Sequence, residues 1–149
     1  MGDRIEKQIE LKAPIDRVWR ALTDHEEFGA WFRVKLDGPF AVGEVTTGRI
    51  TYEGYENMKW RSRVEFMEAP HRFVFTWPNP EDPTDEQELA SAPETRVEFR
   101  LEEIPGGTRL TVIESGFEML PAGRRATAMR ENDGGWDIQT AHIKAHVEK

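Results

Sequence analysis

The chain has 149 residues, a length that fits one domain spanning 1–149 and able to bury roughly two-thirds of the surface its unfolded form exposes. Its 28 acidic against 20 basic residues leave a formal charge of -8, which repels phosphate backbones and anionic membrane surfaces, and no stretch reads as a basic patch. The absence of cysteine excludes a disulfide framework, a thiolate nucleophile and a cysteine metal site. The opening residues lack the apolar stretch of a signal peptide, the pattern after Gly2 does not fit myristoylation, and no window approaches the ~20 apolar residues that span a bilayer. The expectation is a cytoplasmic protein with neither a nucleic-acid partner nor an integral membrane segment.

In chain order, "RIEKQIELKA" sets Ile5, Ile9 and Leu11 in phase with period two, against Glu6, Gln8, Glu10 and Lys12, as in a half-buried strand. Pro14 suits a first helical turn, and Ile15, Val18, Trp19 and Leu22 follow at helical spacing. A second short helix begins in "TDHEEFGAWF", with Thr23 or Asp24 as its cap. From Phe32 to about Leu120 the pattern is that of strands punctuated by glycine and proline. "WRSRVEF" sends Trp60, Ser62, Val64 and Phe66 to one face, "HRFVFTW" aligns Phe73, Phe75 and Trp77, and "TRVEFRLEE" turns Val97, Phe99 and Leu101 inward and Arg96, Glu98 and Arg100 outward. The proline-rich, acidic "PNPEDPTDEQELASAP" reads as a solvated hairpin loop, with a functional lid as the alternative. After Pro121, Met129, Trp136, Thr140, Ile143 and Val147 share one face of a long helix. Helices segregated from consecutive antiparallel strands indicate an α+β domain whose aromatic sheet face is covered by that last helix.

Within that helix "NDGGW" is costly, since each interior glycine is worth about 1 kcal/mol against alanine. Gly134 and Gly135 therefore mark a helix break, a close packing contact, or room left open beside Trp136.

"APIDRVWRALTDHEEFGAWF", "VFTW", "TRLTVIESGFEMLPAGRR" and "NDGGW" together resemble the bacterial homologues of the activator of the heat-shock-protein ATPase. That family belongs to the START-like, or SRPBCC, helix-grip superfamily, with the steroidogenic-acute-regulatory-related lipid-transfer domains and the birch-pollen allergen. The resemblance covers almost the whole chain. It implies a curved antiparallel sheet of about seven strands around a long C-terminal helix, with a cavity between them. Thr140 departs from the family, which tends to place leucine there.

In "TRLTVIESGF", Leu110 and Val112 face the core and Glu114 falls in the same phase; either the carboxylate enters the interior or a bulge near Ser115 and Gly116 turns it outward. The residues expected around a ligand are Trp31, Trp60, Phe75, Trp77, Phe99, Glu114, Phe117, Met129, Gly135 and Trp136; aromatics on a sheet face are otherwise plain core. His142 and His146 stand four apart on a helix, a spacing that can hold zinc, but without the glutamate or third ligand of a zinc motif they read as a solvated helix end. No serine elbow, phosphate loop or dinucleotide fingerprint occurs, so no catalytic residue, metal or cofactor is assigned.

The leading functional reading is noncatalytic binding of a small hydrophobic or amphipathic ligand, a lipid or an aromatic metabolite, between sheet and final helix. An enzyme of the cyclase or hydrolase type using Glu114 in the same cavity is the alternative, and a cochaperone-like, stress-related protein contact ranks third. The expected state is a monomer or weak homodimer.

Overall fold

The structure is a computed structural model, which describes residues 4–149. Strand β1 (Ile5–Leu11) leads into helices α1 (Ile15–Thr23) and α2 (His25–Phe32). Six strands follow: β2 (Val34–Leu36), β3 (Val45–Ile50), β4 (Lys59–Glu68), β5 (Arg72–Pro78), β6 (Glu94–Ile104) and β7 (Gly107–Ser115). A short helix α3 (Glu86–Ser91) interrupts the connection from β5 to β6, a 3-10 turn covers Phe117–Met119, and helix α4 (Ala122–Val147) closes the chain. The seven strands form one antiparallel sheet in the order β1-β7-β6-β5-β4-β3-β2. This is the α+β helix-grip arrangement, with α4 laid across the concave face.

The local signals act as expected at most boundaries. Asp24 lies between α1 and α2 in an extended conformation, and its side chain accepts from the amides of Glu26 and Glu27, satisfying donors that the first turn of α2 leaves unpaired. Gly116, at φ 94, ends β7 in a left-handed conformation that suits a residue without Cβ. The inner face carries Phe73, Phe75, Val97, Phe99, Leu110 and Val112, all buried, against Ala128, Trp136, Ile143 and Val147 of α4. Met129 is partly buried at the edge of that contact, because Ala128 takes the innermost position of its turn.

Three expectations change. Phe66 leaves the inner face: the register between β4 and β5 shifts between Val64 and Phe66, and the ring lies 41% exposed beneath the Arg72 guanidinium, 4.8 Å from its centroid. An extra residue on one strand reverses the alternation downstream of it. The acidic connection after β5 is not a bare loop. Asp85 caps α3 through the amides of Gln87 and Glu88, Leu89 is buried, and the Lys59 amide donates to the Pro83 carbonyl. The histidines do not form a free helix end either. His142 stacks on Tyr52, and His146 Nε2 lies 3.1 Å from Glu27 Oε1. Among the described residues no cluster of three His, Cys, Asp or Glu is arranged to hold a metal, and no helix is long and apolar enough to cross a membrane.

Helix α4 runs unbroken through Gly134 and Gly135, and a Cβ added at either would meet nothing within 4 Å. A break and a close packing contact are thus both excluded, and open space remains. Gly134 is exposed, so Gly134→Ala should raise stability by about 0.5–1 kcal/mol in a urea titration, through reduced backbone freedom of the unfolded chain.

Glu27 ties α2 to α1 and α4. Burial works to raise its carboxyl, but hydrogen bonds from His146, Arg17 and Arg20 outweigh burial and bring it from 4.5 to about 2. A carboxyl depressed in the folded state contributes stability above its unfolded value and loses it as pH falls. The difference in stability between wild type and Glu27→Gln should therefore be full above pH 4.5 and vanish on acidification toward pH 2, as read by urea titrations across that window.

Candidate functional site: a buried carboxylate between two indoles

Strand β7 stays in register through Ser115, with Glu114 opposite Val97 on one side and Ile5 on the other. The regular ladder excludes a bulge, so alternation turns the carboxylate inward, where it is 0% exposed. Its neighbours arrive from three other elements. Oε2 accepts from Trp77 Nε1 of β5 at 2.8 Å, from the Thr95 hydroxyl of β6, and from Asn132 Nδ2 of α4 at 2.9 Å. Oε1 accepts from Trp136 Nε1 of α4 at 2.9 Å.

A further layer orients these donors. Thr95 Oγ1 accepts from Asn79 Nδ2 at 2.8 Å and from Trp77 Nε1 at 3.0 Å, which leaves its own proton for Glu114. Asn79 Oδ1 accepts from Asn132 Nδ2 at 3.0 Å, so the amide of Asn132 bridges Asn79 and Glu114. The two indoles stack, with centroids 5.6 Å apart and planes inclined by 24°. Trp60, Phe75 and Phe32 pack edgewise against Trp77, and Phe99 against Trp136.

All four donors to Glu114 are neutral. The contrast is Glu98 on the outer face of the same sheet, also buried, where burial works to raise the carboxyl but hydrogen bonds from Arg100 and Arg72 hold it below its ordinary value. Glu98 is thus matched by cations, as buried charges in structural roles are. Glu114 has dipoles alone, all aimed at one point beside an aromatic wall. An ionised carboxylate offers about four acceptor positions, two per oxygen. Oε2 takes three bonds, one beyond its two positions, whereas Oε1 takes a single bond.

Of the residues expected around a ligand, Glu114, Trp77 and Trp136 meet directly, with Trp60, Phe75 and Phe99 behind them. Trp136 is 1% exposed and Trp77 half-buried. Trp31 is spent elsewhere: its Nε1 donates to the Ala21 carbonyl at 2.8 Å, fastening α2 to α1. Phe117 is buried in the 3-10 turn, Met129 sits on the flank of α4, and Gly135 is half-buried next to Trp136. Sequence reasoning missed Thr95, Asn132 and Asn79. Thr95 shares the inward phase of Val97 and Phe99, and Asn132 stands one turn before Trp136, so both had a periodic signal. Asn79 had none.

Glu114→Gln presents an amide nitrogen to a site built only of donors, leaving at least one of them unpaired. The variant should lose about 1–3 kcal/mol in a urea titration, well beyond the roughly 0.5 kcal/mol of a surface substitution.

The profile of the family described as Activator of Hsp90 ATPase homolog 1-like protein matches residues 12–148. No curated protein matches the chain in sequence. Among solved structures, the chain superposes on a protein of Mesorhizobium loti with a TM-score of 0.74 and 22% identity, covering 96% of this chain and 95% of that one. The Aha1 dimer of Colwellia psychrerythraea gives a TM-score of 0.69 at 18% identity, with 97% and 96% covered. DynU16, a protein in the dynemicin biosynthetic locus, gives 0.75 at 23% identity; 99% of this chain is covered but it spans only 48% of DynU16. At these identities the structural likenesses establish the fold, while the profile match over nearly the whole length places the chain in the family of Activator of Hsp90 ATPase homolog 1-like proteins.

Proposed function

We propose that the protein binds, without catalysis, a small amphipathic molecule between the concave sheet face and α4, and that Glu114 accepts a hydrogen bond from it. The Glu114 centre carries this reading: a buried carboxylate held by neutral donors alone, against a stacked indole pair, with one acceptor position left on Oε1. A ligand hydroxyl or amine supplies the missing donor, and the flat indole wall suits an aromatic or lipid-like body. Half-buried Trp77 is the side chain that gives way, and the ligand enters past Gly135, where an added Cβ would meet nothing within 4 Å. Trp60, Phe75 and Phe99 support the wall; Met129 and Phe117 border it. A metabolite is favoured over a bulk lipid by the association of one structural neighbour with a biosynthetic locus. Catalysis by Glu114 has less support, since protein donors already engage both its oxygens.

Native mass spectrometry of freshly purified protein should detect a bound small molecule that is lost on denaturation. The neutral naphthalene dye prodan should compete for the same space. Gly135→Leu, which fills that space, should weaken dye binding by about tenfold or more while the melting temperature holds or rises. An unoccupied wild-type protein that also fails to bind the dye, or a Gly135→Leu variant that binds it as wild type does, overturns the reading.

A further inference from the structure

The outer face of the sheet divides into two electrostatic halves. Across β5, β6, β7 and β1 every outer-face arginine meets a carboxylate. Arg72 and Arg100 pair with Glu98, Arg96 with Glu65, and Arg109 with Glu102 and Glu10. Across β2, β3 and β4 the register does the opposite. Lys35 stands opposite Arg49 and Arg49 opposite Lys59, a row of three cations on adjacent strands, with Arg61 and Arg63 two and four residues further along β4 on the same face. Among the described residues Lys35, Arg49, Arg61 and Arg63 form no ion pair; Lys59 reaches only Glu86 of α3, at 3.6 Å.

Like charges directly opposite one another across strands are destabilising. This half of the face therefore costs stability in the isolated chain, while the other half shows that the same sheet accommodates alternating signs. Lys35 on the edge strand also discourages edge-to-edge pairing, but Arg49, Arg61 and Arg63 lie on interior strands, where that purpose is absent. The five cations lie within about 17 Å of one another, given strand spacing near 4.8 Å and a two-residue repeat near 7 Å. Beside them a groove of about 590 Å³ runs between the sheet and the ends of α3 and β7. Its lining joins Arg61, Arg63 and Arg96 with the apolar Ala90, Pro93 and Met119. Met119 is 68% exposed.

The geometry points to a docking surface for an acidic segment of a partner protein, its carboxylates spaced over the Lys35, Arg49, Arg61 and Arg63 lattice and one apolar side chain seated in the groove against Met119. Charge complementarity selects this occupant. Glu65, Glu86 and Glu94 rim the face, and the chain carries a charge of -8, so a uniform polyanion such as a phosphate backbone meets repulsion at the rim. Discrete carboxylates on a peptide can be placed to avoid it. The Lys35, Arg49, Arg61 and Arg63 lattice lies on the side of the sheet opposite α4, and only the groove's Thr95 end adjoins the Glu114 centre.

Fluorescence anisotropy of the full chain with a fluorescein-labelled peptide, about twelve residues of alternating glutamate and serine with one central leucine, tests this at about 50 mM salt. The peptide should bind, and Arg61→Ala with Arg63→Ala should weaken it by about tenfold or more. Arg130→Glu, which lowers the net charge by the same two units on exposed α4, should change it less than about twofold. Replacing the leucine by serine should also weaken binding, and the melting temperature of the double variant should hold or rise as repulsion is relieved. Equal losses from the two charge changes, no binding of the peptide, or tighter binding of single-stranded DNA or of phosphatidylserine vesicles than of the peptide overturns the inference.

Discussion

The inward turn of the Glu114 carboxylate is the constraint on which the rest of the interior depends. A buried carboxylate must find donors, and here they come from β5, β6 and α4. Satisfying it fixes the crossing of α4 over the sheet, because Asn132 and Trp136 must both point at one residue from consecutive turns. It also fixes the connection after β5, since Asn79 completes the network through Thr95 and Asn132. A hydrophobic contact tolerates sliding; convergent hydrogen bonds of 2.8–3.0 Å do not. The polar centre thus supplies the orientational specificity that the surrounding aromatic cluster cannot.

The two glycines of α4 take their meaning from that centre. They sit one and two residues before Trp136, so the helix that delivers an indole to Glu114 carries no side chain on the adjoining part of its surface. Leaving two helix-weakening residues in place is compatible with the fold because α4 is long and anchored at both ends. Arg125 donates to the carbonyls of Phe117, Glu118 and Leu120 near its start, and near its end His146 meets Glu27 of α2 and Glu148 accepts from the Lys12 amide. Anchoring at the ends lets the helix tolerate two glycines in its middle.

The sheet treats its two faces differently. Inside, a carboxylate is held by neutral donors; outside, Glu98 gathers three arginines on one half, while on the other Lys35, Arg49, Arg61 and Arg63 form no ion pair among the described residues. These are the two places on the sheet where charge is not matched by opposite charge, and the region between them is fully matched.

Periodicity in the sequence was enough to establish the α+β class, the inward phase of Phe73, Phe75, Val97 and Phe99, and the buried stripe of α4, but it left Glu114 between two orientations and the cap between Thr23 and Asp24. Each feature so established depends on the two-residue or 3.6-residue repeat of a single element. Resemblance to a family added the helix grip. Tertiary structure decided the rest. The Phe66 reversal arises from a bulge, which depends on pairing between two strands. The partners of Glu114 come from elements up to 37 residues away in the chain. The cationic half-face exists because Lys35, Arg49 and Lys59, each unremarkable in its own segment of an acidic chain, are set side by side by strand register. Local repeat determines which way a side chain points; only the register and the helix crossing determine what it meets.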